Sequence, residues 1–125
     1  MKGMFFADTF ALVEFLEGNA KYVKYFKENQ IIVCRLNLME LYYCTLAESS
    51  EILAEKYYNL FLQFCVEPCD STIKQAMKLR LKLKKSGKNI SYADALGYQV
   101  SIESQAKFLT GDREFKGLPN VEFVK

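Results

Sequence analysis

Hydrophobic positions in this chain fall into short continuous runs separated by longer stretches of helical period. Met4-Phe-Phe-Ala7 is four apolar residues closed by Asp8, the pattern of a buried strand. Asp8-Thr9 is a helix-start pair. Phe10, Leu12, Val13 and Leu16 then recur at helical spacing until Gly18-Asn19 ends the helix. A second short helix is expected over Ala20 to Lys27, with Tyr22, Tyr25 and Phe26 on its inner side. Ile31-Ile-Val-Cys34 is β-branched and continuously apolar, as suits a parallel sheet covered on both faces. Asn37 is expected to cap a helix carrying Leu38, Met39, Leu41, Tyr42 and Leu46, and a further helix to run from about Ser49 to Leu62.

Phe64-Cys-Val66 is a third strand candidate, closed by Pro68, and Asp70-Ser71 opens a basic segment. Met77 to Lys84 alternates with period two, which taken alone suits a strand. Met, Leu, Lys and Arg are good helix formers, however, and no β-branched residue occurs between Lys74 and Asn89. The segment is therefore expected to be a helix, stopped by Gly87. Ser91 caps another helix, running to about Gln105. Lys107-Phe-Leu109 is a fourth strand, ending at Thr110-Gly-Asp112, and Val121-Glu-Phe-Val124 is a fifth. Strands alternating with helices predict an α/β three-layer sandwich with a central, mostly parallel five-stranded sheet, one domain over residues 1–125.

Composition narrows the chemistry. The net charge of +2 excludes a strongly basic nucleic-acid binder, yet its distribution is uneven: Lys74, Lys78, Arg80, Lys82, Lys84, Lys85 and Lys88 fall in a stretch, Ser71 to Ala93, that has no acid. There is no histidine, so Ser-His-Asp triads, Cys-His dyads and histidine-based ribonuclease mechanisms are excluded. Hydrolysis would have to run on carboxylates with a metal, or on lysine. Cys34, Cys44, Cys65 and Cys69 form no CxxC pair and read as reduced, mostly buried thiols rather than a zinc site. No apolar run reaches the ~20 residues of a membrane span and no signal-peptide pattern is visible, so a cytoplasmic protein without membrane contact is expected.

The candidate chemistry lies in four acids. Asp8 follows the first strand and Asp112 the fourth, and an open parallel sheet binds its ligands just beyond the carboxyl ends of its strands. Glu40 lies one turn into the helix after the second strand, and Asp94 in the first turn of the helix leading to the fourth. Four neighbouring carboxylates repel one another unless a divalent cation sits between them, and oxygen-only ligands favour Mg²⁺ or Mn²⁺. The plainer reading is an Asp that caps a helix and a Glu that faces solvent. Against it, Glu40 sits in Leu38-Met-Glu-Leu-Tyr-Tyr43 and Asp94 in Tyr92-Ala-Asp-Ala-Leu96, and acids set among core residues need a partner.

Asp8-Thr9 with Leu12-Val-Glu-Phe-Leu16, then Leu38-Met-Glu-Leu-Tyr42, Ile90-Ser-Tyr-Ala-Asp-Ala-Leu96 and Phe108-Leu-Thr-Gly-Asp-Arg-Glu-Phe115, in this order and at these separations, resemble the PIN-domain family and its small VapC-type toxins. The resemblance covers essentially the whole chain. It implies a five-stranded parallel sheet and a Mg²⁺- or Mn²⁺-dependent endonuclease of single-stranded RNA. It further implies a type II toxin with a small cognate antitoxin; a homodimer is the other partner expected, from the excess of aromatics on the first four helices. By matching position, Asp8, Glu40, Asp94 and Asp112 are the metal-binding, catalytic acids. Thr9 resembles the polar residue after the first Asp, and Thr110 the hydroxyl residue two before the last. Glu114 matches a position where the family often has another acid, an outer contact to a second metal. Family members often carry Ser or Thr where this chain has Arg35-Leu-Asn37, so Asn37 would supply that polar contact.

The resemblance implies in-line attack by a metal-activated water, leaving a 5′-phosphate and a 3′-hydroxyl. Arg113, beside the last acid, either contacts phosphate or faces solvent. Lys84, Lys85 and Lys88 are candidate RNA contacts because they just precede the helix bearing Asp94; the rival reading of the basic run is a solvated helix face. The many aromatics on the first four helices suggest a protein interface as well as a core. A PIN nuclease of RNA processing and a non-catalytic PIN-like RNA- or protein-binding module stand as alternatives. A receiver-like phosphotransfer domain lacks a suitably placed strand-end lysine.

Overall fold

The computed structural model describes residues 3–125 and arranges them around a parallel sheet. Its strands are β1 (Met4–Ala7), β2 (Gln30–Ile32), β3 (Lys107–Thr110) and β4 (Val121–Phe123), in the order β2-β1-β3-β4. From β1 the chain crosses to β2 through α1 (Thr9–Leu16) and α2 (Ala20–Glu28). It continues through α3 (Arg35–Glu48), α4 (Glu51–Leu62), α5 (Asp70–Lys85) and α6 (Tyr92–Glu103), and re-enters the sheet at β3 on the other side of β1. The strand order therefore reverses between β1 and β3, and a cleft opens at such a point beyond the strand ends.

The sheet has four strands where the sequence predicts five. Phe64 to Val66 makes only a parallel bridge, Val33 to Cys65, with Val33 N–H donating to Phe64 O at 3.1 Å and Val66 N–H to Val33 O at 2.8 Å. The segment follows a turn at the end of α4 and meets Pro68 two residues later, so it reaches the outer edge of β2 without room for a ladder. The Met77 to Lys84 segment is helical despite its alternation, because its residues favour helix and its buried Ala76 and half-buried Leu79 and Leu83 supply a core-facing stripe.

Strand alternation builds two cores. Phe6, Ile32 and Phe108 are in register across β1, β2 and β3 and pack against Ala76 of α5 and Ala95 and Leu96 of α6. Ala7, Ile31 and Leu109 face the other way, onto Leu12, Tyr22, Leu38, Leu41 and Phe61 of α1 to α4. A three-layer α/β sandwich results, with the sheet buried on both faces. No helix among the described residues is long and apolar enough to cross a membrane.

Helix α6 lies so close to the sheet that a Cβ on Gly97 would come within 2.5 Å of the Phe6 ring and 3.3 Å of the Phe108 ring. Two buried rings stacked at 5.8 Å leave little room to yield. Gly97→Val is therefore expected to destabilise the fold by about 1–3 kcal/mol, read as a lower denaturant midpoint at unchanged slope. An unchanged midpoint would show that α6 can move away from the sheet without cost.

Candidate functional site

Asp8 leaves β1 and caps α1, its Oδ1 accepting the Ala11 N–H at 2.8 Å. Its Oδ2 accepts the hydroxyl of Thr110, the last residue of β3, and its own N–H donates to Leu109 O at 3.3 Å. The carboxylate is thus fixed from both sides of the β1–β3 seam. The Thr110 oxygen also accepts the Asp112 N–H at 3.0 Å, so one buried hydroxyl orients two acids. Thr110 is held in turn by the residue after β4: its carbonyl accepts the Val124 N–H at 2.9 Å, while the Tyr22 hydroxyl donates to Val124 O at 2.5 Å. Gly111 permits the exit from β3, since a Cβ there would lie 2.7 Å from the Tyr22 hydroxyl and 2.8 Å from Phe10 Cζ.

Asp94 sits in the first turn of α6, where the Ser91 hydroxyl accepts its N–H at 3.0 Å. Asp112 caps a 3-10 turn, Arg113 to Phe115, by accepting the Glu114 N–H at 3.0 Å. Glu40 accepts the Thr9 hydroxyl at 2.5 Å, and Asn37 Nδ2 donates to that Thr9 oxygen at 3.4 Å. Asn37 is not the helix cap expected from its sequence position. Helix α3 starts at Arg35, after Cys34, because the chain leaves the sheet at Ile32, and Asn37 closes the first turn by accepting the Cys34 N–H at 3.2 Å. It is fully buried, and through Thr9 it braces Glu40.

Asp8, Glu40, Asp94 and Asp112 line one cleft of about 950 Å³. Thr9, Ser91, Gly111 and the exposed Arg113 share its wall. Thr110 and Asn37 lie behind it as hydrogen-bond supports. Glu114, Lys84, Lys85 and Lys88 do not line it; Lys85 lies with Lys78 and Lys82 along a shallow depression on α5. Phe10, Met39, Tyr43 and Cys44 also line the cleft and escaped the sequence reading. The available signal is that every residue from Leu38 to Tyr43 except Glu40 is apolar or aromatic, more than one buried helix face can hold. Met39 and Tyr43 are accordingly 57% and 72% exposed.

The electrostatics are those of crowded acids that form no ion pair among the described residues. Burial pushes the Asp8 carboxyl from 3.8 up to about 8; the Thr110 and Ala11 hydrogen bonds oppose the rise, and the Asp94 and Asp112 charges add to it. Asp94 rises to about 6, first through burial and then through the Glu40 and Asp112 charges, with the Ser91 hydroxyl opposing. The ion pairs among the described residues, Arg35–Glu67 at 2.7 Å and Lys107–Glu122 at 4.0 Å, include none of the four acids. The donor set of carboxylate and hydroxyl oxygens therefore suits a hard divalent cation. In the present side-chain arrangement no three acidic or cysteine side chains among the described residues converge as a ligand group. One oxygen of Glu40 and one of Asp112 are instead engaged by Thr9 and by the Glu114 N–H.

The Asp8 shift fixes the sign of a pH effect. A folded-state value of about 8 against 3.8 means that the folded protein keeps a proton which the unfolded chain releases, so stability falls as pH rises through that window. Asp94 adds the same sign up to about pH 6. In chelator, the protein is expected to melt higher near pH 5 than near pH 8. Asp8→Asn, which removes the buried charge and keeps an acceptor for Ala11, is expected to raise the melting temperature near pH 8 and flatten the profile. A wild-type melting temperature that climbs from pH 5 to 8, or an Asp8→Asn variant less stable than wild type at pH 8, contradicts this electrostatic account.

Comparison with known proteins gives this geometry a family. A PIN-domain family model matches residues 5–121. No curated protein sequence matches. Among solved structures, the chain is similar to VapBC2 from Rickettsia felis bound to a DNA fragment from its promoter. The TM-score is 0.74 at 20% identity, covering 97% of each chain. It is similar to DNA-bound VapBC from Salmonella typhimurium, with a TM-score of 0.74 at 15% identity over 99% of this chain and 98% of that one. A toxin–antitoxin complex from Klebsiella pneumoniae gives 0.73 at 16% identity over 97% and 96%. At such identities the shared feature is the fold. With the family model matched from β1 to the first residue of β4, the chain belongs to the PIN-domain family.

Proposed function

We propose that this PIN domain is a Mg²⁺- or Mn²⁺-dependent endoribonuclease of single-stranded RNA, acting as the toxin of a type II toxin–antitoxin pair. The observation that carries the reading is that Asp8, Glu40, Asp94 and Asp112 all line one cleft at the sheet's switch point. These four acids would hold the metal, with Glu114 at most an outer contact. When bound, the ion supplies neutralisation of phosphate charge and a water acidified for in-line attack.

The protein's own residues do the positioning. Thr110 holds Asp8 and the backbone of Asp112; Asn37 and Thr9 hold Glu40. Ordered acids pay little reorganisation when charge develops on the phosphate. Arg113, exposed on the cleft wall, supplies a cation for a phosphate beside the one cut. Lys84, Lys85 and Lys88 serve the RNA outside the cleft, through long-range attraction and backbone contacts.

The toxin assignment draws on the structural neighbours, which are themselves VapBC or toxin–antitoxin complexes. It draws also on the exposed apolar wall of Phe10, Met39 and Tyr43, which suits a protein partner such as a small antitoxin. A homodimer would use other apolar surface, such as the half-exposed Leu60, Leu62 and Phe64 at the end of α4.

The test is cleavage of mixed single-stranded RNA. Wild type is expected to cut in Mg²⁺ or Mn²⁺ and to stop in EDTA, and Asp8→Asn to be inactive. Thr110→Val is expected to lose about 10–100-fold in rate, as for other groups that orient metal ligands. Equal cleavage in EDTA, or full activity in Asp8→Asn, would refute the reading.

A further inference from the structure

We propose that Tyr92, with Arg80 packed on one face of its ring, forms a bracket whose open face stacks one base of single-stranded RNA beside the carboxylate cleft, with Lys84 supplying the neighbouring phosphate contact. The proposal deepens the nuclease reading and rests on it.

Tyr92 is the first residue of α6, between Ser91 and Asp94, both of which line the cleft. It is 62% exposed. The Arg80 guanidinium lies over the ring at 4.1 Å from its centroid. Arg80 is anchored as well: its Nε–H donates to Ile90 O at 3.1 Å. Neither of the ion pairs among the described residues includes it, so its positive charge is not neutralised by an acid. A guanidinium has five donors, and the carbonyl of Ile90 uses one. The result is an aromatic plane with a cation against one face and much of the ring open to solvent, one residue from Ser91 and two from Asp94 of the cleft lining.

That combination selects a ligand. Unpaired bases stack on aromatic rings and on guanidinium planes, and their phosphates take the free donors. Lys84 lies one turn beyond Arg80 on the same side of α5 and is exposed. The stretch from Ser71 to Ala93, which carries Arg80, Lys84 and Tyr92, has seven basic residues and no acid. A peptide partner would meet the same ring with nothing to pair with the unbalanced cations unless it were acidic. A mere tether between α5 and α6 would not need the ring exposed.

The experiment uses the full chain and a short fluorescent single-stranded RNA, with its duplex as a second ligand. Steady-state cleavage is measured for wild type, Tyr92→Leu, Tyr92→Trp and Lys84→Gln; affinity is measured in the Asp8→Asn background, where RNA is not cut. Tyr92→Leu is expected to raise KM about 10-fold with kcat within about twofold, to weaken single-strand binding equally in Asp8→Asn, and to leave the duplex unaffected. Tyr92→Trp is expected to restore both values. Lys84→Gln is expected to lower the slope of log affinity against log salt by about 0.7, the value for one single-strand phosphate contact, whereas Tyr92→Leu leaves the slope unchanged. Wild-type KM and affinity in Tyr92→Leu, a loss that Trp fails to restore, or an effect confined to binding of a protein partner would overturn the bracket. Absence of cleavage by wild type would refute the nuclease reading instead; the binding arm needs no cleavage and judges the bracket by itself.

Discussion

Asp8 is a carboxylate with almost no contact with water, held across the seam between the first and third strands by the Thr110 hydroxyl and the Ala11 amide. Burying such a group costs free energy that two hydrogen bonds reduce and do not cancel, which is why its proton affinity rises so far. Ordinary folding would replace it with an apolar residue. It stands instead at the position where the strand order reverses, with Asp94 and Asp112 close enough to raise its cost further. A cation bound among these acids would convert the cost into binding affinity, and the nuclease reading follows from that exchange.

The rest of the fold keeps this arrangement rigid with very little material. The strands are three or four residues long, so the sheet depends on its two flanking helical layers. Gly97 lets α6 settle directly on the stacked Phe6 and Phe108 rings, which sets where Ser91 and Asp94 reach the cleft. Gly111 lets β3 end beneath Phe10 and Tyr22, which sets where Asp112 reaches it. Tyr22 and Val124 close the back of Thr110. Asp8 and Glu40 are thus oriented by elements distant in sequence, Thr110 and Thr9, whereas Asp94 and Asp112 are held by local caps.

Much of this was legible in the residues because strand ends and helix starts have strong local signatures. Met4 to Asp8 and Phe108 to Asp112 read as strands delivering acids, and a cap-type residue ahead of each, Asn37 and Ser91, signals the helices around Glu40 and Asp94. What stayed hidden depends on contacts distant in sequence. Asn37 looked like a cap because its side chain suits one, yet the chain leaves β2 early and Asn37 instead reaches Thr9, 28 residues away. Phe64 to Val66 has a strand's composition and finds only Val33 to pair with. The alternation of Met77 to Lys84 gave no hint that Arg80 would reach across to Tyr92, since that meeting is made by the packing of α5 on α6. The exposed wall of Met39 and Tyr43 was concealed by an apolar pattern that resembles a core.

The central claim is that the buried acids are built for a divalent cation, and Mn²⁺ titration followed by thermal unfolding near pH 8 tests it most directly. The account requires the melting temperature of the chelator-treated protein to rise with Mn²⁺ in a saturable manner, as for a ligand bound only by the folded state, and the rise to be largely lost in Asp8→Asn. A melting temperature indifferent to Mn²⁺, or an equal rise in wild type and Asp8→Asn, would contradict it.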